Sequence, residues 1–433
     1  MESIAVKEEI LNNKKKDNNG DSEKPIKLLN RGTYGCVFKP GLTCEGMVDN
    51  SKTTISKIQK DKKTSENELY VSSKIRDISN YSRYFAPIKE SCEIDVGRIE
   101  NDEINQCEFI YEKSKGDKPM KFEMNRLIYV GKNTLGNNLM QILEKPQNLD
   151  KFAEEFISSY KILLEGLHKL NASNLVHYDI KENNIMCRDT NGRPIIIDFG
   201  LSFETTSMLV TTGNELFDVF YAYSSEYAPW SIEICIISYI LNIIGKGMET
   251  VEEILNLPAS EELLFECIDE YFEKNRGMEA ICNQVKCEDY KERLKSYFSN
   301  IIKNIGFGKI RWKTIVDDLI QYNKTWDVYS LTICYLQLFD QLKIEGNDDI
   351  TFMRDFKNML LDILLSVPSD RLDAKACTNK LKKIQKVKKA ELKALETVLV
   401  DYTENEDNVK ERRLHYANSK IKMKETEKKV YLE

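Results

Sequence analysis

His177-Tyr178-Asp179-Ile180-Lys181-Glu182-Asn183-Asn184, followed ten residues later by Ile195-Ile196-Ile197-Asp198-Phe199-Gly200, is the stretch of densest chemistry in this 433-residue chain. Two carboxylates, an ammonium and an amide flank an apolar run that reads as a buried strand. These residue types match the needs of phosphoryl transfer from a nucleoside triphosphate. An acceptor hydroxyl must be oriented and relieved of its proton, the γ-phosphate charge must be neutralised, and Mg²⁺ must be held against phosphate oxygens. Asp179 suits the first task and Lys181 the second. Asn184 and Asp198 offer the hard oxygen ligands that Mg²⁺ prefers.

The segment resembles the catalytic loop and D-F-G metal motif of eukaryotic-type protein kinases. Upstream, Asn30-Arg31-Gly32-Thr33-Tyr34-Gly35-Cys36-Val37 resembles the glycine-rich loop of that family, with Asn30 in place of its first glycine. Asn tolerates positive φ, so the turn is expected to survive, and Val37 would sit on the adenine. The likeness makes Lys57 the lysine of the third strand, with Ile55 two residues earlier on the same face. Glu68 becomes its partner, favoured over Glu66 because Leu69, Ser72 and Ile75 supply an inward face beside it. Asp327 resembles the helix aspartate that binds the catalytic-loop backbone. Arg371 resembles the late arginine that pairs with an acid after Ala228-Pro229, for which Glu233 is the nearest candidate because Trp230 takes the usual place. His168 matches the end of the long helix and is given no catalytic role. Tyr178 replaces the arginine that in the family binds an activation-segment phosphate.

The resemblance spans residues 26 to about 385. It implies an α+β, bilobal protein-kinase-like fold with a small β-rich N-lobe and a larger helical C-lobe. It implies ATP and Mg²⁺ as cofactors and protein substrates as partners. Lys181 favours Ser/Thr over Tyr acceptors. The G-T-Y-G-C-V-F-K-P stretch, the divergent Ala-Pro-Trp region and a long insertion look like the kinases of large cytoplasmic DNA viruses (asfarvirus, iridovirus and mimivirus type). Two rival readings stand beside the enzyme: a catalytically silent pseudokinase scaffold and a small-molecule kinase on the same fold. The first would usually lack one of Lys57, Asp179, Asn184 or Asp198. The second generally lacks D-F-G together with Asp327 and Arg371.

The rest of the chain fits this frame. Residues 1–25 are polar, with a Lys14-Lys15-Lys16 run, and read as a mobile tail. Residues 26–132 read as short strands with one helix in SENELYVSSKI, and form the expected N-lobe. Residues 133–385 turn mainly helical, led by an amphipathic helix with Phe152, Phe156, Ile157, Tyr160, Leu163, Leu164 and Leu167 on its inner side. Strands first and helices afterwards suggest an α+β protein in two lobes. Residues 235–322 form a Glu-rich helical insertion without a readable motif. The extension 386–433 is charged: from 371 to the end there are 17 Lys and Arg against 11 Asp and Glu. A solvated helix face is the expected reading of the run Lys382, Lys383, Lys386, Lys388 and Lys389.

Composition narrows the function classes. The chain is 41% hydrophobic and 31% charged, which fits a globular protein. A net charge of -7 argues against nucleic-acid binding by the chain as a whole. Three His make a zinc enzyme a poor fit. Eleven Cys without a C-x-x-C pair read as reduced thiols, hence a cytoplasmic protein, in host cytoplasm or virion if viral. A metal site at Cys282 and Cys287 is not expected, for want of His nearby. The longest apolar stretch, Ile232 to Ile244, contains Glu233 and reads as a buried helix rather than a membrane span. Oligomeric state is not readable.

Overall fold

The computed structural model describes residues 26–32, 35–49, 51, 53–99, 101–116, 120–144, 149–208, 214–303, 310–342, 351–384 and 406–430. The expected tail over 1–25 and Lys386, Lys388 and Lys389 of the lysine run lie outside these, while Lys382 and Lys383 stand in the last turn of the helix Ala374–Ile384.

The architecture is α+β. Five strands come first: β1 (Lys27–Arg31), β2 (Gly35–Lys39), β3 (Thr54–Gln59), β4 (Glu90–Asp95) and β5 (Lys121–Ile128). They form one antiparallel sheet in the order β1-β2-β3-β5-β4. Strand alternation gives the sheet two distinct faces. Cys36, Phe38, Ile58 and Met124 point to one face, into a small core with Ile104, Cys107 and Ile110 from the β4–β5 connection. Val37 and Asn125 pair opposite Lys57, so all three share the other face with Ile55.

Helix α1 (Lys62–Arg76) lies between β3 and β4 in sequence and is capped by Asp61, whose side chain accepts from Thr64 N. Its buried residues are Ser65, Glu68, Val71, Ser72 and Ile75. The expected inward face therefore needs one correction. Leu69 is exposed, because it lies about 100° from the middle of the face formed by Ser65, Glu68, Val71, Ser72 and Ile75. Val71 fills the place in the core.

After β5 the chain is mainly helical. Short α2 (Glu108–Ser114) belongs to the β4–β5 connection, and α3 (Leu135–Leu143) follows β6 (Asn133–Thr134). Helix α4 (Leu149–Ala172) buries every residue expected on its inner side, from Phe152 to Leu167. It leads through β7 (Leu175–Val176) to the hairpin of β8 (Ile185–Cys187) and β9 (Pro194–Ile196). The apolar stretch from Ile232 forms α5 (Ile232–Tyr239) and a wider turn to Ile244, buried almost throughout its first ten residues. No helix among the described residues is long and apolar enough to cross a membrane.

The expected insertion is helical, with α6 (Glu261–Lys274), α7 (Arg276–Cys282), α8 (Glu288–Lys303) and α9 (Trp312–Ile320). These, with α5, share an apolar core with Trp326, Tyr329 and Ile333 of α10 (Trp326–Gln341), so residues 235–322 pack against the following helix. Helix α10 is almost wholly buried and also contributes Val328, Leu331 and Tyr335 to the core of α4. Helices α11 (Thr351–Leu364), α12 (Ala374–Ile384) and α13 (Glu406–Val430) complete the described chain.

The expectation of reduced thiols is corrected. Cys36 bonds to Cys107, Cys44 to Cys92 and Cys282 to Cys287. The first two pairs are brought together by the sheet across 71 and 48 residues, which no spacing rule would reveal. Cys187, Cys235, Cys267, Cys334 and Cys377 are free and buried.

Candidate active site

Lys57 links the sheet to the Asp198 segment. Its ammonium lies 3.1 Å from Glu68 Oε2 on α1 and 2.7 Å from Asp198 Oδ1. Glu68 is 1% exposed, and the same oxygen accepts from Gln59 Nε2 (2.7 Å) and Asn125 Nδ2 (3.4 Å). Three donors offset the cost of burying this carboxylate. Burial still dominates and pushes the Glu68 pKa up, with Lys57 pulling against it. At Lys57 burial opposes the charge, but Asp198 and Glu68 outweigh it and raise its pKa. At Asp198 burial again opposes the charge, and Lys57, helped by Lys181 and His177, holds the pKa below the usual carboxylate range. Glu66 points outward and pairs with Lys62 on the surface, so Glu68 is the acid that meets Lys57.

The remaining charged residues interlock on the segment between β7 and β8. Asn184 Nδ2 donates to Asp179 O and Oδ2, both at 2.9 Å. Lys181 Nζ stands 3.1 Å from Asp179 Oδ2. Tyr227 donates its hydroxyl to Asp179 Oδ1 and receives a hydrogen bond from Lys181 at 3.3 Å. Below the loop, the buried Asp327 carboxylate accepts from His177 N at 2.7 Å and Tyr178 N at 2.8 Å. Burial raises its pKa, and these backbone bonds oppose the rise. His177 Nε2 lies 3.0 Å from Ile197 O, and Asp179 N–H donates to its Nδ1 at 3.3 Å.

Strand register brings Asn184 and Asp198 to the same end of one hairpin. Ile185 pairs with Ile196, and Ile197 N donates to Asn184 O at 3.0 Å, so both residues stand at one end of the β8–β9 hairpin. The Asn184 amide nitrogen donates to Asp179, so its oxygen is the atom that could face a cation. One carboxylate and one amide oxygen fit a cation such as Mg²⁺, which keeps several waters and takes phosphate oxygens. No cluster of three or more His, Cys, Asp or Glu suited to a metal occurs among the described residues.

Asp198 has φ 64° and Tyr178 φ 70°, a left-handed conformation that side chains rarely adopt. Both flank the candidate site, and Tyr178 is held by hydrogen bonding of its N–H to Asp327 and by packing on Phe203, Phe220 and Trp230. Phe199, next to Asp198, is buried between His177 (ring centroids 5.1 Å apart) and Phe85 (6.1 Å).

The glycine-rich segment closes as expected, with one difference. Gly32 N donates to Gly35 O at 2.8 Å, while Thr33 and Tyr34 lie outside the described residues. Asn30 pairs with Val37 inside the β1–β2 ladder and has no positive φ, so its tolerance of such angles is not used. Gly35 is needed for closeness instead: a Cβ there would stand 2.4 Å from Ile58 O.

Three contributors escaped the sequence reading. Asn67 Nδ2 donates to Gly200 O (3.1 Å) and Ser202 O (2.9 Å), tying α1 to the segment after Asp198. Tyr227 and Asn125 are the others. Asn67 adjoins Glu68, but a surface helix Asn carries no signal of its partner.

Comparison with known proteins supports the same class. A probable serine/threonine-protein kinase fnkE of Dictyostelium discoideum is 28% identical over 187 residues, 41% of this chain and 12% of that protein. Serine/threonine-protein kinase C of Synechocystis is 40% identical over 57 residues, 13% of this chain and 10% of that protein. The chain spans about a tenth of the length of these curated relatives. No family model matches. This is weak homology to serine/threonine protein kinases.

Proposed function

We propose that this chain is an ATP-dependent protein kinase that transfers the γ-phosphate to Ser/Thr hydroxyls of protein substrates. The observation that carries the reading is the Lys57 bridge to Glu68 and Asp198, the latter 141 residues away in sequence, beside the interlocked Asp179, Lys181 and Asn184. The bilobal arrangement, with lobes over 26–132 and 133–385, belongs to the same proposal.

Val37 and Ile55 share the sheet face of Lys57 and would receive the base. Lys57, steadied by Glu68, would hold the α- and β-phosphates. Mg²⁺ supplies neutralisation of phosphate charge, and Asp198 with the Asn184 oxygen would hold it. Asp179 accepts the proton of the incoming hydroxyl or orients it. Lys181 places an ammonium where γ-phosphate charge spreads. Little covalent work falls to the protein, so the rate comes from positioning and electrostatics.

The test is transfer of radiolabelled phosphate from ATP with Mg²⁺ to a general protein acceptor, compared with small amino alcohols. Labelled protein supports the proposal. Labelled amino alcohol alone favours the small-molecule reading, and no transfer favours the scaffold. The likeness to viral kinases rests on the motifs quoted above. The cytoplasmic setting expected from reduced thiols loses that support, because Cys36–Cys107, Cys44–Cys92 and Cys282–Cys287 are disulfides.

Tyr178 bears on regulation. It is 2% exposed and packs against Phe203, Phe220 and Trp230, an aromatic anchor in place of a phosphate-binding arginine. An activation-segment phosphate therefore has no cation at this position to order. Phosphatase-treated protein is expected to keep most of its turnover, and its abolition would overturn this point.

A further inference from the structure

Glu182 follows Lys181 directly, yet its carboxylate turns away from the site. It is 3% exposed. Its Oε1 accepts the Gly136 N–H at 2.9 Å, at the start of α3, and the Tyr416 hydroxyl at 3.2 Å. Its Oε2 lies 3.0 Å from Lys420 Nζ, which also donates to Thr134 Oγ1 at 2.9 Å. Tyr416 and Lys420 stand one turn apart on α13, so both face the loop together.

The fit around this carboxylate is close. A Cβ on Gly136 would stand 2.2 Å from the Tyr416 hydroxyl and 2.9 Å from Glu182 Oε1. Tyr416 is 6% exposed and belongs to the main core with Leu135, Leu139 and Leu338. Arg413, one turn earlier, pairs with Glu144 at the surface at 2.6 Å. A buried carboxylate is tolerated only while its donors stay in place. Glu182 opens the short turn that ends at Asn184, whose N–H donates to Lys181 O at 2.9 Å. A shift of Glu182 would therefore move both Lys181 and Asn184.

We infer that α13 is a built-in brace for the catalytic loop, with Tyr416 and Lys420 as positioning residues that act through Glu182. The inference rests on the kinase reading and adds a regulatory handle to it. The charged extension is then part of the working site, not only a solvated appendage. The same helix also borders the acceptor side. Its His415, Ser419 and Lys422 help line a cavity of about 230 Å³ that reaches Lys181 and Tyr227.

The test uses the full-length chain carrying Tyr416→Phe, Lys420→Met or both. Lys420→Arg serves as the conservative variant and Arg413→Ala as the control on the same helix. Two quantities are read: kcat and KM for ATP and protein acceptor, and hydrogen exchange of the amides of residues 180–187. The double variant is expected to lose kcat on the order of tenfold or more, with KM for ATP little changed. Its amides over 180–187 should exchange faster, Lys420→Arg should restore both readouts, and Arg413→Ala should match the parent. Parent-like kcat and exchange in the double variant overturn the brace. If the parent protein transfers no phosphate, the kinase reading fails, and the exchange arm alone then decides the brace. Should the double variant not fold, the single variants carry the same comparison: slowed turnover with faster exchange supports the brace, and parent-like values overturn it.

Discussion

Asp198→Asn is expected to lower phosphoryl transfer by about 10²–10³-fold while leaving the fold intact. The substitution keeps the side-chain size but removes one negative charge. Partial burial opposes that charge, but the Lys57 ammonium 2.7 Å away holds the Asp198 pKa below the usual carboxylate range. With Asn in its place the candidate metal position loses its charged ligand, leaving only neutral oxygens. Lys57 keeps Glu68, so the sheet–helix link survives. The side chain of Asp198 is 38% exposed, so the loss should fall on turnover more than on folding. Steady-state transfer rates, with circular dichroism and melting curves on the same samples, give the comparison. Near-normal turnover would sink the metal assignment.

Arg371→Met should be the most damaging substitution for stability. Arg371 and Glu233 form an ion pair in which both side chains are fully buried. Glu233 lies in the first turn of α5, and Arg371 follows a short turn at Pro368–Asp370. Arg371 also sits over the Tyr329 ring at 5.0 Å from its centroid. Removing the guanidinium leaves a carboxylate in an apolar setting, a change that costs about 3–5 kcal/mol. The pair itself need not be a large net source of stability, because a well-packed apolar pair can do as well. The double variant Glu233→Leu with Arg371→Met should therefore lose less than Arg371→Met alone. Urea unfolding of the three proteins measures this. An unaltered midpoint for Arg371→Met would show that the site rehydrates or rearranges freely.

Several elements are readable because they depend on near neighbours. The amphipathic spacing of α4 specifies its buried face, from Phe152 to Leu167, since a helix with one apolar stripe must turn that stripe inward. The β1–β2 turn follows from its glycines, although the physical need is the closeness of Gly35 to Ile58 O and not a positive φ at Asn30. Glu68 and Glu66 lie 200° apart on a helix, so only one of them can face Lys57. Leu69 departs from its expected place because the buried face centres on Ser65, Glu68, Val71, Ser72 and Ile75, which leaves Leu69 about 100° away from its middle.

The residue types and spacing of Asp179, Lys181, Asn184 and Asp198 point to the chemistry proposed above, because a reaction selects side chains by charge and ligand type wherever the backbone runs. What brings them together belongs to the folded chain. The antiparallel register of β8 and β9 sets Asn184 beside the Asp198 segment, and Asp327 reaches back across about 150 residues to fix the loop backbone. The disulfides of Cys36 with Cys107 and Cys44 with Cys92, the Tyr227 contact to Asp179, and the clasp of Glu182 by Tyr416 and Lys420 are likewise products of folding. Local patterns encode which face of an element seeks the interior. Contacts between distant segments arise only when those faces compete for the same core, and a linear string carries no distance information about the outcome.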